Sequence, residues 1–415
     1  MDSPITREDG GILHPRDLRQ SLERDLEQLA IISCHEHHLI PGQGERVTLD
    51  YIFENSYVSW CGVEVGSSRK ERESFIRQVG TNSYYQWLLA ALQRLYGFDE
   101  ELSADNWEMV SERIAEKHKL PEWYFTVLQK HAGIEKAVLD AYWNPGSDNG
   151  HPEFYCPTFR INALVMSHNR QVEDHNGNNA WQLFAPYGMV PSSFAEYLEA
   201  VDALLAVKKQ EGCVALKCAL AYDRSMAFAE AAREDAEAAF GRKDAAPGKV
   251  KAFQDYVFHF VAEQAGVLDL PLQCHVGLGK IHGSNPMHLV PLIEKYQSTQ
   301  FVLFHGGYPW TREIGGLLHN YPNVYADLVW LPLISPTAAV QALHEWIETA
   351  RTSEKITWGG DCWTPEETYG AVLALRWVAA KVLAEKVQEG YFSRQRALEL
   401  ARQIFCDNAR RLYKI

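Results

Sequence analysis

The chain has 415 residues, of which 46% are hydrophobic and 23% charged, and its formal net charge is −14. This composition is ordinary for a globular protein, and the acidic balance argues against nucleic acid and acidic membrane surfaces as partners. No apolar run approaches the roughly 18 residues of a membrane span, and the polar N-terminus lacks the apolar core of a signal peptide, so we expect a cytoplasmic protein.

The first predicted element is a short buried strand over 29–34, which leads into the segment ISCHEHHLIP at 32–41. A zinc-protease helix needs a second histidine four residues after the first, but Leu39 stands four residues after His35. On a strand, alternate residues point to the same side, so His35 and His37 would aim at one point. The pattern leaves a metal-binding strand end and a polar surface stretch open.

Short apolar runs recur along the chain with helical patterns between them. Several runs lack polar alternation, as expected for parallel strands covered on both faces. This alternation predicts an α/β protein, a (β/α)8 TIM barrel. A doubly wound sheet is the alternative, but no Gly-rich phosphate fingerprint follows the first strand. The predicted strands are 29–34, 136–142, 160–166, 213–220, 270–276, 300–306, 323–329 and 355–361, and the predicted helices are 252–266, 286–297, 311–320, 336–350 and 366–388.

One connection, residues 40–134, is much longer than the others and is rich in aromatic residues. Its composition predicts a helical insertion with a small core of its own, inside a single domain that covers 1–415. Loops after barrel strands border the active site, so the insertion could also form a lid or a subunit contact. We expect a homo-oligomer.

Polar side chains stand at the carboxyl ends of five predicted strands, and in a barrel these ends meet at one face. Each alone has a structural explanation, as a hydrogen-bonded core histidine, a snorkelling lysine or an N-capping aspartate. Together they predict a divalent metal site, with zinc as the expected ion, because imidazole and carboxylate are its ligands. The residues are His35 and His37 on the first strand, Lys217 on the fourth, His275 on the fifth, His305 on the sixth and Asp361 on the eighth.

This residue set predicts chemistry on a small molecule. A bound ion lowers the pKa of its water towards about 7, and Asp361 could take the proton from that water and pass it to a leaving group. A buried Lys217 is costly as an ammonium. We therefore expect Lys217 to be paired with substrate, or to be neutral and open to carbamylation, which gives an anion able to bridge two metals.

Two further side chains are candidates for substrate binding. Arg312 follows the sixth strand and could bind a substrate carboxylate through two parallel hydrogen bonds, or could belong to a helix surface. Trp363 could wall the pocket or simply pack. The eight cysteines lack Cys-x-x-Cys spacing, which favours reduced thiols over disulfides or a zinc knuckle.

The order His-x-His, Lys, His, His, Asp on successive strands is similar to that of the amidohydrolase superfamily. Within it the chain resembles the amidohydrolase 2 branch. The segments FHGGYPWTREIGGLLHNYPNVYADL (304–328) and GGDCWTPEETYG (359–370) resemble the FluG-type amidohydrolase domains. The segment LKCALAYDR (216–224) resembles a Lys-Ser-x-x-Ala-Tyr-Arg stretch seen there. The insertion resembles that of the same group and of the uronate isomerases, and the resemblance covers about 25–415.

The resemblance implies roles for the strand-end residues. His35, His37, His275 and Asp361 would hold one catalytic divalent metal. His305 would bind water or substrate, or help to hold a second metal.

For the fourth strand, the resemblance implies that Lys217 is a bridging carbamate if two metals bind, or a substrate ligand if one does. It implies that Tyr222 and Arg224 meet the substrate, although an extra Asp223 displaces Arg224 by one position.

The leading prediction for the reaction is metal-dependent hydrolysis of a C–N (amide), ester or lactone bond, with Asp361 as proton shuttle. The alternative is a non-hydrolytic relative, either a decarboxylase or a uronate-type sugar-acid isomerase. Against the isomerase, Gly-Asp-Cys-Trp at 360–363 stands where uronate isomerases have Thr-Asp-Ser-Arg. A third class is a barrel that binds a ligand without catalysis, which the intact ligand set disfavours.

Overall fold

The structure is a computed structural model, and it describes residues 15–40, 42 and 45–415. Eight strands form one sheet in the consecutive order β1 to β8, and each pairing from β3 to β8 is parallel. This is the strand order of a (β/α)8 barrel, which confirms the predicted fold class. The strands are β1 (Ile31–Glu36), β2 (Ile134–Leu139), β3 (Tyr155–Arg160), β4 (Ala215–Cys218), β5 (Leu272–Cys274), β6 (Phe301–Leu303), β7 (Val324–Asp327) and β8 (Ile356–Thr357).

Helices precede, separate and follow these strands. The described helices are α1 (Pro15–Glu27), α2 (Leu49–Glu54), α3 (Arg69–Val79), α4 (Ser83–Tyr96), α5 (Trp107–His118), α6 (Trp123–Phe125), α7 (Asn162–Met166), α8 (Ala180–Phe184), α9 (Phe194–Gln210), α10 (Arg233–Glu237), α11 (Pro247–Val267), α12 (Val290–Lys295), α13 (Thr311–Asn320), α14 (Leu331–Ile334), α15 (Pro336–Thr349), α16 (Pro365–Gln388), α17 (Arg394–Arg402) and α18 (Asn408–Tyr413). None of the helices in the described part of the chain is both long and apolar enough to cross a membrane.

The chain divides into two compact units. The first comprises the described residues up to Ala137 together with Val329–His344 and Trp358–Asp407. The second comprises Val138–Leu328, Glu345–Thr357 and Asn408–Ile415. The prediction of a single domain over 1–415 remains a prediction.

In the first unit, β1 runs beside the loop that follows β8. The amide of Cys34 donates to the carbonyl of Trp358, and the amide of His37 donates to the carbonyl of Cys362, each at 2.9 Å. The two segments approach so closely at Gly359 that a Cβ there would lie 2.6 Å from a backbone nitrogen of β1. Glycine is therefore required at this crossing.

The described residues between β1 and β2 contain α2 to α6, and residues 41, 43 and 44 lie outside the described part. An aromatic cluster holds these helices together, with the ring centroid of Phe53 5.3 Å from Phe75, 5.8 Å from Tyr85 and 5.6 Å from Trp107. All four side chains are buried, and edge and offset ring pairs at these distances are favourable. The role of 40–134 as an inserted unit stays a prediction.

The third predicted strand was placed wrongly. The structure puts β3 at Tyr155–Arg160 and makes Asn162–Met166 a helix, α7. A short apolar run does not distinguish a buried helix from a buried strand. Pro157 also argues against a strand by its missing N–H, yet its carbonyl accepts a bond from the amide of Val214 at 2.9 Å.

Candidate metal centre

Two histidines at the end of β1 share one side of the strand. His35 is the fifth residue of β1, and His37 is the first residue after the end of the strand. Because side chains alternate between the two faces of a strand, both rings point the same way, as predicted. Their ring centroids lie 4.8 Å apart at 84°, and both side chains are buried.

Asp361 meets these histidines from the loop after β8, four residues beyond the end of that strand. Its Oδ1 lies 3.5 Å from Nε2 of His35 and 3.3 Å from Nε2 of His37. The carboxylate is buried, with 4% of the residue exposed. Three predicted metal ligands of the first unit are therefore brought together.

The spacing of these donors fits a metal ion. Two tetrahedral ligands each about 2.1 Å from zinc lie about 3.4 Å from one another, which is the separation of Asp361 Oδ1 from both imidazole nitrogens. Two imidazoles and a carboxylate are also the donor types of catalytic zinc sites.

The carboxylate of Asp140 was not singled out from the sequence. Asp140 is buried in the second unit, where its carboxylate is bound by the guanidinium of Arg160. Asp140 is the first residue after β2. The signal in the sequence was the same as for the other candidates, a metal-ligating side chain at a strand end.

Aromatic rings pack beside Asp361 and His37 in the first unit. The hydroxyl of Tyr57 donates to Oδ2 of Asp361 at 2.5 Å, and the Tyr57 ring stacks on Trp330 with centroids 4.4 Å apart. Trp363 stacks on His37 at 5.5 Å and meets Tyr57 edge-on at 4.9 Å. The predicted wall residue Trp363 therefore contacts a candidate ligand, and Tyr57 was missed because no local pattern links it to Asp361.

The second unit brings His275 and His305 together. Nε2 of His305 lies 2.8 Å from Nδ1 of His275, and Nε2 of His275 donates to the carbonyl of Leu278 at 2.6 Å. The Tyr222 ring lies 4.6 Å from the His275 ring. Both nitrogens of His275 thus have partners within the chain. Binding of a metal by His275 requires one of them to be exchanged, and its role as a ligand stays a prediction.

Lys217 lies in β4 and is buried, with 2% of the residue exposed. Its Nζ stands 3.8 Å from the centroid of the Phe304 ring, a cation–π contact. Carbamylation of this nitrogen stays a prediction.

The two candidate arginines bind acidic side chains of the chain itself. Arg224 donates to Asp255 at 2.5 Å and to Gln254 at 2.9 Å. Arg312 pairs with Glu345 at 3.1 Å, and 84% of the Arg312 side chain is exposed. Their roles in substrate binding stay predictions.

The cysteines are thiols in the structure. Burial raises the pKa of the Cys362 thiol well above its usual value, with further increases from the charges of Glu367 and Glu36. Next to Asp361 the chain therefore presents a neutral thiol rather than a thiolate.

The sequence and the fold have counterparts among known proteins. A profile of the family described as Amidohydrolase matches residues 169–415. Protein fluG of Emericella nidulans is 38% identical over 151 residues, which are 35% of this chain and 17% of that protein. The chain therefore spans only a small part of that relative's length. The uronate isomerase of Nostoc punctiforme is 25% identical over 362 residues, 79% of this chain and 75% of that protein.

Among solved structures, the glucuronate isomerase of Caulobacter crescentus superposes with a TM-score of 0.74 at 18% identity. The match covers 96% of this chain and 94% of that one. At this identity the likeness concerns the fold.

Proposed function

Because the chain belongs to the amidohydrolase family, we propose that it is a metal-dependent enzyme that isomerises a small sugar acid. The observation that carries the proposal is the sequence relation to the uronate isomerase of Nostoc punctiforme, which extends over 79% of this chain. The buried donor set of His35, His37 and Asp361 supports the metal dependence.

His35, His37 and Asp361 would hold the divalent ion, with zinc as the expected metal. His275 and Lys217 would join them in a fuller one- or two-metal site. The ion would supply a positive charge that polarises a substrate carbonyl or lowers the pKa of a bound water.

The side chains around Asp361 suit proton transfer. An aldose–ketose exchange moves a proton between neighbouring carbons, and a carboxylate can take and return it. Tyr57 fixes the Asp361 carboxylate through its hydroxyl, and the buried rings of Tyr57 and Trp330 exclude water from that side. His305 would hydrogen-bond a substrate oxygen.

A second reaction, hydrolysis of an amide, ester or lactone, is favoured by Trp363. The uronate isomerase pattern places an arginine at this position, which can pair with a carboxylate in two parallel bonds. Here an indole stacks on His37 instead. A substrate with an apolar or aromatic group would suit this ring better than a carboxylate, and Asp361 would then act on water.

The mass of the product separates the two reactions. We would incubate the Zn²⁺-loaded chain with glucuronate, galacturonate and a panel of amides, esters and lactones. Isomerisation gives a product of unchanged mass from a uronate, whereas hydrolysis adds the mass of one water across the substrate and its fragments. Loss of CO₂ would indicate the decarboxylase alternative.

An Asp361→Asn variant is the control, since it should lose the turnover of whichever substrate the parent accepts. Turnover of an amide or ester without turnover of any uronate would overturn the isomerase proposal. A parent that binds no divalent ion would overturn metal dependence altogether. A small-molecule substrate, a cytoplasmic location and a homo-oligomer belong to the same proposal.

A further inference from the structure

Glu36 lies between the two candidate ligands of β1 but faces the other way. Its carboxylate is fully buried and spans the loop after β8. Oε1 accepts a bond from the amide of Gly360 at 3.1 Å, and Oε2 accepts one from the amide of Cys362 at 2.9 Å. A hydroxyl of β1, that of Ser33, donates to Oε1 at 2.6 Å.

The residue between those two amides is Asp361. Its own amide donates to the carbonyl of His35 at 2.9 Å. The backbone of Asp361 has φ +67°, which lies in the left-handed region that residues other than glycine rarely adopt. Three successive N–H groups are therefore fixed, and the Glu36 carboxylate holds the outer two.

The approach of Glu36 to this loop depends on a glycine. A Cβ at Gly360 would lie 2.4 Å from Oε1 of Glu36 and 2.9 Å from Oε2. No side chain fits between them, so Glu36 and Gly360 act as a matched pair.

A second layer holds the carboxylate from α16. The hydroxyl of Thr368 lies 3.4 Å from Oε2 of Glu36 and 2.7 Å from Nε2 of His38. Buried carboxylates need such donors because an uncompensated charge in the interior is costly. Through the amides of Gly360 and Cys362 the network reaches the backbone on both sides of Asp361.

We propose that Glu36 is the positioning residue of Asp361: by binding the peptide N–H on each side, it holds that carboxylate against His35 and His37 in a geometry that fits a metal ion. The proposal rests on the metal site of the proposed function and does not depend on which reaction is catalysed.

The test compares Co²⁺ binding by the full-length parent and by a Glu36→Gln variant. Glutamine keeps one acceptor oxygen but turns an NH₂ group towards one of the two amides. The loop therefore loses one of the two hydrogen bonds that its amides donate to residue 36. Second-layer partners of ligands are typically worth 10–100-fold in metal affinity. We therefore expect Co²⁺ to bind about 10–100-fold more weakly, with an altered visible absorption spectrum that reports changed coordination.

Glu366→Gln is the matched control. Glu366 is equally buried, but it accepts bonds from Tyr96 at 2.6 Å and His118 at 2.7 Å and makes none to the Asp361 loop. This variant should lose thermal stability while Co²⁺ affinity and spectrum stay as in the parent.

Three results would overturn the proposal. The first is a Glu36→Gln variant with parental Co²⁺ affinity and spectrum, which makes Glu36 a structural residue only. The second is equal weakening by Glu366→Gln, which makes the effect a general loss of packing. The third is a parent that binds no Co²⁺. This result would show that there is no metal site and would also contradict the proposed function.

If Glu36→Gln does not fold, Thr368→Val decides the matter. Valine keeps the shape of threonine but removes the hydroxyl that contacts Glu36 and His38, a loss of about one neutral hydrogen bond. We expect a folded protein whose Co²⁺ affinity falls about three-fold. An unchanged affinity in that variant would count against the proposal in the same way.

Discussion

The hydroxyl of Tyr57 lies 2.5 Å from Oδ2 of Asp361, although 304 positions of sequence separate the two residues. The amide of Tyr57 also donates to Oε1 of Glu367 at 2.6 Å. Tyr57 is therefore anchored at both its backbone and its hydroxyl. The segment between β1 and β2 thus contributes a side chain to the candidate site.

Removing this hydroxyl should impair catalysis more than folding. In Tyr57→Phe the ring keeps its stacking on Trp330, so the stability cost should be about one hydrogen bond, or about 1 kcal/mol. The Asp361 carboxylate loses its donor and its fixed orientation. We expect kcat to fall about 100-fold, in the range that positioned acid–base groups contribute.

Steady-state kinetics on the substrate found by the mass assay would measure this effect. Tyr85→Phe is the control, because Tyr85 is a buried ring of the same unit that stacks on Phe53 rather than on the site. A Tyr57→Phe variant with parental kcat would remove Tyr57 from the catalytic machinery.

Metal content tests the assignment of His275. If this residue is a ligand, the His275→Ala variant should retain much less zinc per chain than the parent after loading and dialysis. His319→Ala is the control, since His319 is exposed on α13. Elemental analysis gives the ratio. Unchanged stoichiometry in His275→Ala would show that its bonds to His305 and Leu278 are its actual role.

Lys355 should make stability depend on pH in the alkaline range. Burial lowers the pKa of Lys355 to about 8 from its usual 10.5. Between these values the unfolded chain binds more protons than the folded chain, so the free energy of unfolding should rise with pH from about 8 to 10.5. Below pH 8 the folded protein carries the cost of a half-buried ammonium.

Lys355→Met should therefore unfold at a higher urea concentration than the parent at pH 7, and the difference should shrink as the pH approaches 10.5. The loss of the contact between Lys355 and the Tyr325 ring works in the opposite direction. Lys243→Met, at an exposed position, should change neither value. If the urea midpoints of Lys355→Met and the parent differ by the same amount at every pH, the lowered pKa of Lys355 is refuted.

His118 should stabilise the fold through Glu366. Burial raises the pKa of Glu366, but the charge and hydrogen bond of His118 outweigh it, and the pKa ends below its usual value. A lowered carboxyl pKa stabilises the fold above about pH 4.5, and this contribution disappears as the pH falls through the folded-state value.

At pH 7, His118→Ala leaves a buried carboxylate without the hydrogen bond from His118, and we expect a loss of about 3 kcal/mol in the free energy of unfolding. His118→Gln can still donate to Glu366 and should lose less. Urea titrations at pH 7 and pH 4 would measure both, and the gap between parent and His118→Ala should narrow at pH 4. A difference in stability between parent and His118→Ala that is the same at pH 7 and pH 4 would contradict the role of His118 in stabilising the ionised Glu366.

The sequence by itself determined the number of strands and which residues of β1 point to the same face. Apolar runs and helical periodicity are local properties, so they indicated eight strands and placed α13 at 311–320, where the structure has it. Alternation along β1 put His35 and His37 on one side because two-residue periodicity is intrinsic to a strand. Asp361 was singled out in the same local way, as the last residue of the eighth predicted strand at 355–361.

Only the tertiary structure decided which distant groups meet. The bonds from Tyr57 to Asp361 and from Gly360 and Cys362 to Glu36 join segments more than three hundred positions apart. Periodicity gives the direction of a side chain within its own element, but the partner across the fold depends on how whole elements pack. For the same reason the partner of Arg224 proved to be Asp255 on α11, which no spacing within the sequence could have specified.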